Sequence, residues 1–195
     1  MIPIAILAGG KGTRLGPLTD HTPKSLMDVN GQPFILRQLA LLKRHGYTQV
    51  VLLTGHLGEQ IRDVVGNGAA YGMQVEYSDD GGDPIGTAGA VRQALRRLGE
   101  RFFVLYGDSY LDCDYGLVDQ LSAVNHANVS TWWDGFDYGL SVFYAADLAV
   151  LRYADLTDVR RRLEAMDRLI YLPMRARFEE IGSLDGLERV RALTR

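Results

Sequence analysis

The sequence predicts an open α/β sheet, mostly parallel. Three observations point to it: short apolar runs bounded by turn residues, helical patterns between those runs, and a glycine-rich turn directly after the first of them. Continuous apolar runs read as strands buried on both faces, as parallel strands are. Strands alternating with helices are the pattern of crossover-connected parallel sheets. A chain of 195 residues suffices for one sizeable core, so residues 1–195 are expected to form a single domain.

The elements follow in order. Ile4–Leu7 is the first strand, and Phe34–Arg44 is a helix with Ile35, Leu39 and Leu42 on one face, stopping at Gly46. Val50–Thr54 is a second buried strand, followed by the helix Glu59–Val65. Met73–Ser78 alternates Met73, Val75 and Tyr77 with Gln74, Glu76 and Ser78, the signature of a half-exposed or edge strand. Thr87–Leu98 is helical, with Val91, Leu95 and Leu98 on one face and Thr87 in position to cap it. Phe102–Tyr106 is the most apolar strand and the helix Gly116–Val124 follows. A returning parallel strand should come next, yet Asn125–Phe136 contains no apolar run long enough to supply it. A sheet without that strand would leave its neighbours' backbone groups unpaired. The expectation is therefore that internal segments are missing near 124–133, and again near 151–152. Leu140–Tyr144 is the last predicted strand, with helices at Asp158–Met166 and Gly186–Leu193.

Composition narrows the function classes. With 47% hydrophobic and 23% charged residues the chain is of ordinary globular type. A net charge of −3 offers no basic surface for a nucleic acid or an anionic membrane, so neither is expected as a partner. Phosphate chemistry would have to rest on local basic residues and metal. Cys113 is the single cysteine, which excludes an internal disulfide and reads as a small buried residue at a strand end. The run Ile2–Ala8 is too short for a signal or membrane-spanning segment and lacks a charged leader, so a cytoplasmic location is expected. His21, His45, His56 and His126 show no metal-ligand spacing, and Trp132 and Trp133 serve packing or sugar stacking.

The first strand ends in Leu7-Ala8-Gly9-Gly10-Lys11-Gly12-Thr13-Arg14-Leu15. In open α/β sheets ligands sit at the carboxyl ends of the strands. Glycines there let the backbone approach a ligand and aim N–H groups at phosphate oxygens. A dinucleotide fingerprint would need glycine where Leu15 stands, and a P-loop would need Gly-Lys-Ser/Thr to close the loop. Downstream, Pro17-Leu18-Thr19 leads to Thr22-Pro23-Lys24, which sets a lysine behind a rigid proline. As a whole, Gly9–Lys24 resembles the signature loop of the sugar-phosphate nucleotidyltransferase family. Among that family are heptose-1-phosphate and mannose-1-phosphate guanylyltransferases and N-acetylmuramate-1-phosphate uridylyltransferases.

The resemblance implies a Rossmann-like three-layer fold of the nucleotide-diphospho-sugar transferase type. It also extends to later segments. Pro84–Ala90 is similar to the family's second nucleotide-contacting segment, although the preceding Ser78–Asp83 departs from the usual Glu or Gln. Tyr106-Gly107-Asp108 matches the family's metal-binding Gly-Asp. Asp137-Tyr138-Gly139-Leu140 resembles its sugar-contacting Asn-Ala-Gly, and Phe178–Ser183 its aromatic-x-Asp-Ile-Gly with Glu180 in place of aspartate. By this resemblance Leu7, Ala8, Gly9, Gly10, Gly12, Thr13, Arg14, Gly86 and Thr87 would contact the nucleotide. Lys24, Asp137 and Gly139 would contact the sugar phosphate, Asp108 and Glu180 would hold Mg2+, and Arg14, Lys24 and Asp108 would carry catalysis. The implied reaction joins a nucleoside triphosphate to a sugar 1-phosphate by in-line attack on the α-phosphorus, releasing pyrophosphate. Two other readings stand beside it. A non-catalytic nucleotide or nucleotide-sugar binder fits the Glu at 180 and the lack of the family's Glu-Lys-Pro segment. A glycosyltransferase would use Asp112-Cys113-Asp114 as an Asp-x-Asp motif, though the reading of Asp112 and Asp114 as turn residues competes with it.

Overall fold

The computed structural model describes residues 1–81, 84–175 and 178–194. Strand β1 (Ile4–Leu7) leads through 3-10 turns at Thr13–Thr19 and Lys24–Leu26 into a small hairpin, β2 (Asp28–Val29) and β3 (Gln32–Pro33). Then come α1 (Phe34–Arg44), β4 (Gln49–Thr54), α2 (Gly58–Val65), β5 (Gln74–Asp79), α3 (Thr87–Leu98) and β6 (Arg101–Tyr106). The second half runs β7 (Ser109–Tyr110), α4 (Tyr115–Asn125), β8 (Asn128–Trp133), β9 (Phe136–Tyr144), α5 (Ala145–Val150) and α6 (Leu156–Glu164). It ends with β10 (Leu169–Pro173), β11 (Glu179–Glu180) and α7 (Leu184–Leu193).

Seven strands form the central sheet in the order β10-β8-β9-β6-β1-β4-β5. All neighbouring pairs are parallel except those made by β9, which runs against β6 and β8. The sheet is thus mostly parallel, and β5 is the edge strand that its alternating pattern predicts. Period-two alternation divides the core. Ile4 and Ile6 pack with Ile35, Leu39, Ile61 and Val118 on one face, and Ala5 packs with Val91, Leu98, Leu148 and Val159 on the other. Helices therefore cover both faces, giving three layers. Among the described residues no helix is long and apolar enough to cross a membrane.

The structure corrects the expected missing strand. Asn125–Phe136 does hold one, β8, which pairs with both β9 and β10. It is hard to read because, Val129 apart, its fully buried side chains are polar and satisfied by hydrogen bonds instead of apolar contacts. Asn128 Nδ2 donates to Asp147 Oδ2 at 2.7 Å and to the Arg168 carbonyl at 3.0 Å, and its Oδ1 accepts the Tyr144 N–H at 2.8 Å. The Ser130 and Ser141 hydroxyls lie 3.2 Å apart, and Thr131 Oγ1 donates to the Leu140 carbonyl at 2.6 Å. With β8 in place, the reason for expecting an interruption near 124–133 falls away. The segment around 151–152 is likewise tied down, Arg92 Nη1 donating to the carbonyls of Leu151 at 3.0 Å and Tyr153 at 2.9 Å. Edge strand β10 and helix α5 have no counterpart in the sequence reading.

A second correction concerns Thr87, which caps a neighbouring helix and not its own. Gly86 occupies the N-cap of α3 without a side-chain bond, while Thr87 Oγ1 accepts the Leu156 N–H at the start of α6 at 2.9 Å.

Candidate active site

The register of the parallel strands aligns their carboxyl ends: Leu7 lies opposite Leu53 on one side and Tyr106 on the other. A cleft of about 320 Å³ opens there. Its floor is Leu7, Ala8, Gly9 and Gly10, with Lys24 and Ser25 beside them. One wall comes from Leu53, Asp80, Ile85, Gly86 and Thr87, the other from Tyr106, Gly107 and Asp108. Two glycines are required by packing. A Cβ on Gly107 would stand 2.4 Å from the Leu7 carbonyl oxygen, and one on Gly86 would stand 2.4 Å from that of Ala154, at a φ of 75°. The N–H groups of Ala88 and Gly89 both donate to the Ala154 carbonyl, at 2.8 and 3.2 Å. The first donors of α3 are therefore taken within the protein, and Gly86 and Thr87 face the cleft as a wall. Gly82 and Asp83, in the loop just before this wall, lie outside the described residues.

Gly12, Thr13 and Arg14 do not line the cleft. Gly12 takes a φ of 67° and caps the turn that follows. Thr19 Oγ1 pins that turn by donating to the carbonyls of Gly12 and Gly16, each at 3.1 Å. Arg14 projects from it, 65% exposed, to Glu180 Oε1 at 3.4 Å. Pro23 holds the chain extended before the turn that carries Lys24. From there Lys24 Nζ reaches Asp108 Oδ2 at 2.5 Å, both side chains being mostly buried.

Glu180 is brought to Asp108 by a second small sheet. Strand β11 pairs antiparallel with β7, Glu180 opposite Ser109, and the Ile181 N–H donates to the Asp108 carbonyl at 2.9 Å. Two carboxylates and two cations thus alternate, Lys24 with Asp108 and Arg14 with Glu180, and of these Lys24 and Asp108 line the cleft. No cluster of three or more metal-ligating side chains exists among the described residues. Two carboxylates, one lining the cleft and one on the strand paired beside it, suit a hard cation that keeps water and takes its other ligands from substrate.

Asp137 and Gly139 lie beyond Tyr106, on β9. Asp137 Oδ1 accepts the Gly139 N–H at 3.0 Å, and its Oδ2 accepts the Tyr106 hydroxyl at 2.9 Å and lies 2.8 Å from Arg160 Nη1. Burial pushes the Tyr106 hydroxyl above its usual range, with Arg160 opposing the rise and Asp137 adding to it. It stays protonated and donates. The sequence reading singled out neither Tyr106 as a cleft residue nor Arg160. The available signal was an arginine on the apolar face of α6, beside Leu156, Val159 and Leu163.

The Asp-x-Asp reading does not survive. Asp114 Oδ1 accepts the Leu117 N–H at 2.9 Å as the N-cap of α4, and Asp112 is engaged by His45 at 3.0 Å and Arg44 at 3.7 Å. Between them Cys113 is half-buried, its thiol pushed up to about 12 by desolvation and the two flanking carboxylates. Trp132 packs on Tyr171 and Trp133 on Phe178, with ring centroids 5.5 and 6.3 Å apart.

Residues 4–131 match the family model described as Nucleotidyl transferase, and the chain belongs to that family. It is 42% identical over 130 residues to the N-acetylmuramate alpha-1-phosphate uridylyltransferase of Neisseria meningitidis serogroup B, covering 65% of this chain and 56% of that one. It is 32% identical over 109 residues to the D-glycero-alpha-D-manno-heptose 1-phosphate guanylyltransferase of Campylobacter jejuni, covering 56% of this chain and 48% of that one. The chain therefore spans about half the length of these curated relatives. Among solved structures, a putative glucose-1-phosphate thymidylyltransferase from Bacillus anthracis superimposes with a TM-score of 0.85 at 22% identity, covering 100% of this chain and 96% of that one. HddC from Yersinia pseudotuberculosis gives 0.85 at 20% identity, with both chains fully covered. These two likenesses show the fold.

Proposed function

We propose that the chain is a sugar-1-phosphate nucleotidyltransferase, acting as one domain in the cytoplasm on a nucleoside triphosphate and a sugar 1-phosphate. The observation that carries this reading is the Lys24–Asp108 contact at the edge of the glycine cleft, with Arg14–Glu180 beside it. Such an alternation of charges suits a polyphosphate and a divalent cation better than it suits a neutral ligand. Mg2+ is the cation we propose, held by Asp108 and Glu180, and when bound it supplies neutralisation of phosphate charge.

The remaining steps belong to the protein. The glycine floor Ala8–Gly10 lets the triphosphate lie close to the backbone, and the wall of Leu53, Ile85 and Gly86 accepts the flat base. An oxygen of the sugar phosphate attacks the α-phosphorus in line. The bond from that phosphorus to the β-phosphate oxygen breaks, and pyrophosphate leaves with the bonding electron pair. The nucleophile is already anionic, so no general base is needed, in keeping with a cleft that contains no histidine among its lining residues. Lys24 meets charge on the α-phosphate and the incoming sugar phosphate, and Arg14 meets the charge that develops on pyrophosphate. Catalysis is then positioning and charge neutralisation.

A pyrophosphate-release assay tests the proposal. UTP, GTP and dTTP are each combined with N-acetylmuramic acid 1-phosphate, glucose 1-phosphate, mannose 1-phosphate and a heptose 1-phosphate, in the presence of Mg2+. Release that requires enzyme, triphosphate, sugar phosphate and metal together is the expected result. Binding of a triphosphate without release from any pair would favour the non-catalytic reading.

A further inference from the structure

Arg160 lies on the inner face of α6 and is only 5% exposed. Burying a guanidinium is costly, and apolar residues of similar volume often stabilise as well or better, so fold stability alone is a weak reason for it. Among the described residues its Nε has no hydrogen-bond partner. Its two other nitrogens are committed. Nη1 lies 2.8 Å from Asp137 Oδ2 and 3.5 Å from the Tyr106 hydroxyl, and Nη2 donates to Ser141 Oγ at 3.2 Å. Asp137 passes this fixation on through the Tyr106 hydroxyl and the Gly139 N–H.

One recipient lines the cleft and the other packs against it. Tyr106 is a lining residue, as Asp108 is. Gly139, at a φ of 93°, approaches so closely that a Cβ there would stand 3.1 Å from the Tyr106 ring and 2.9 Å from Ser109 Oγ. Ser109 Oγ in turn donates to Asp108 Oδ1 at 3.4 Å. Leu53, Asp80 and Ile85 enclose the cleft on the β4–β5 side. With the base on that side, as in the proposed reading, the β6–β9 side is left for the second substrate.

We infer that Arg160 is a positioning residue for the sugar 1-phosphate: through Asp137 it fixes Tyr106, which lines the acceptor side of the cleft, and Gly139, which packs against the Tyr106 ring. This rests on the proposed transferase reading. It makes Arg160 and Tyr106 members of one unit, whose effects on the acceptor do not add.

The test is a double-mutant cycle of Arg160→Met and Tyr106→Phe in the full chain, with UTP and N-acetylmuramic acid 1-phosphate or the faster pair from the screen above. Arg160→Met should raise the KM for the sugar 1-phosphate about tenfold while the KM for the triphosphate stays within about twofold, the size expected for losing a charge-assisted contact. Tyr106→Phe should shift the same constant, the double variant should be no worse than Arg160→Met, and Arg160→Lys should recover part of the loss. Equal changes in both KM values, unchanged KM values with a lowered Tm, or additive effects in the double variant would overturn the inference. If Arg160→Met does not fold, Asp137→Asn must show the same split between the two KM values, and its absence is equally decisive. A wild type that forms no pyrophosphate with any pair defeats the transferase reading itself, a result distinct from an active wild type with a silent Arg160 substitution.

Discussion

Lys24 and Arg14 each sit against a carboxylate, yet the two are held differently. Lys24 is mostly buried on Asp108, while Arg14 is largely exposed and reaches Glu180 from a turn. Exposed ion pairs contribute little to stability, so Arg14→Ala should leave the denaturation midpoint nearly unchanged. Both Arg14→Ala and Lys24→Ala should lower kcat more than they raise KM, by roughly 100- to 1,000-fold if each stabilises charge in the transition state. Steady-state kinetics check this, and a rise in KM alone would reduce them to binding contacts. At Glu180, Asp should retain activity and Gln should lose it, since a hard cation accepts either carboxylate but not an amide in its place. The glycine floor and Asp108 could be traced to one place from the sequence because each follows a buried parallel strand, and Lys24 joined them only through the resemblance of Gly9–Lys24 to a signature loop. Arg160 could not, because its significance lies in a partner, Asp137, carried on a different element.

At the level of elements, β8 shows where pattern reading stops. Hydrophobic periodicity finds strands whose burial is apolar, and β8 buries Asn128, Ser130 and Thr131 fully. Its stability rests on hydrogen bonds, so it is sensitive to single deletions. Asn128→Ala would leave the Tyr144 N–H without its side-chain partner, while the buried Asp147 carboxylate keeps Arg168 at 3.1 Å. An unsatisfied buried group costs about 1–3 kcal/mol, so a loss of that size is expected. Chemical denaturation with an unchanged m-value would register it. A loss below about 0.5 kcal/mol, the size of a neutral surface change, would mean that β8 does not depend on this residue. Strands β1, β4 and β6 were legible for the converse reason. Flanked on both faces by helices, they are apolar through their central residues. The alternation of β5 likewise marked it as the edge. Edge strand β10, half-exposed and ending in Pro173, carries in Leu169–Leu172 a continuous apolar run that pattern reading could have found.

Across the whole molecule, sheet order places the chemistry. The three parallel strands β6, β1 and β4 end together, and the chain returns from β7 to β11 to set Glu180 beside Asp108. In the proposed function the first half of the chain supplies the glycine floor and the base wall. Through β9, α6 and β11 the second half would supply the acceptor side and one carboxylate. The central claim is that these halves together transfer a nucleotidyl group. The most direct measurement is 31P NMR of triphosphate, sugar 1-phosphate and Mg2+ incubated with the wild type and with Asp108→Asn. The account predicts equimolar diphosphate-diester and pyrophosphate signals with the wild type, and neither with a folded Asp108→Asn. It would be contradicted by comparable turnover in that variant, or by a wild type that binds triphosphate and leaves both substrates unchanged.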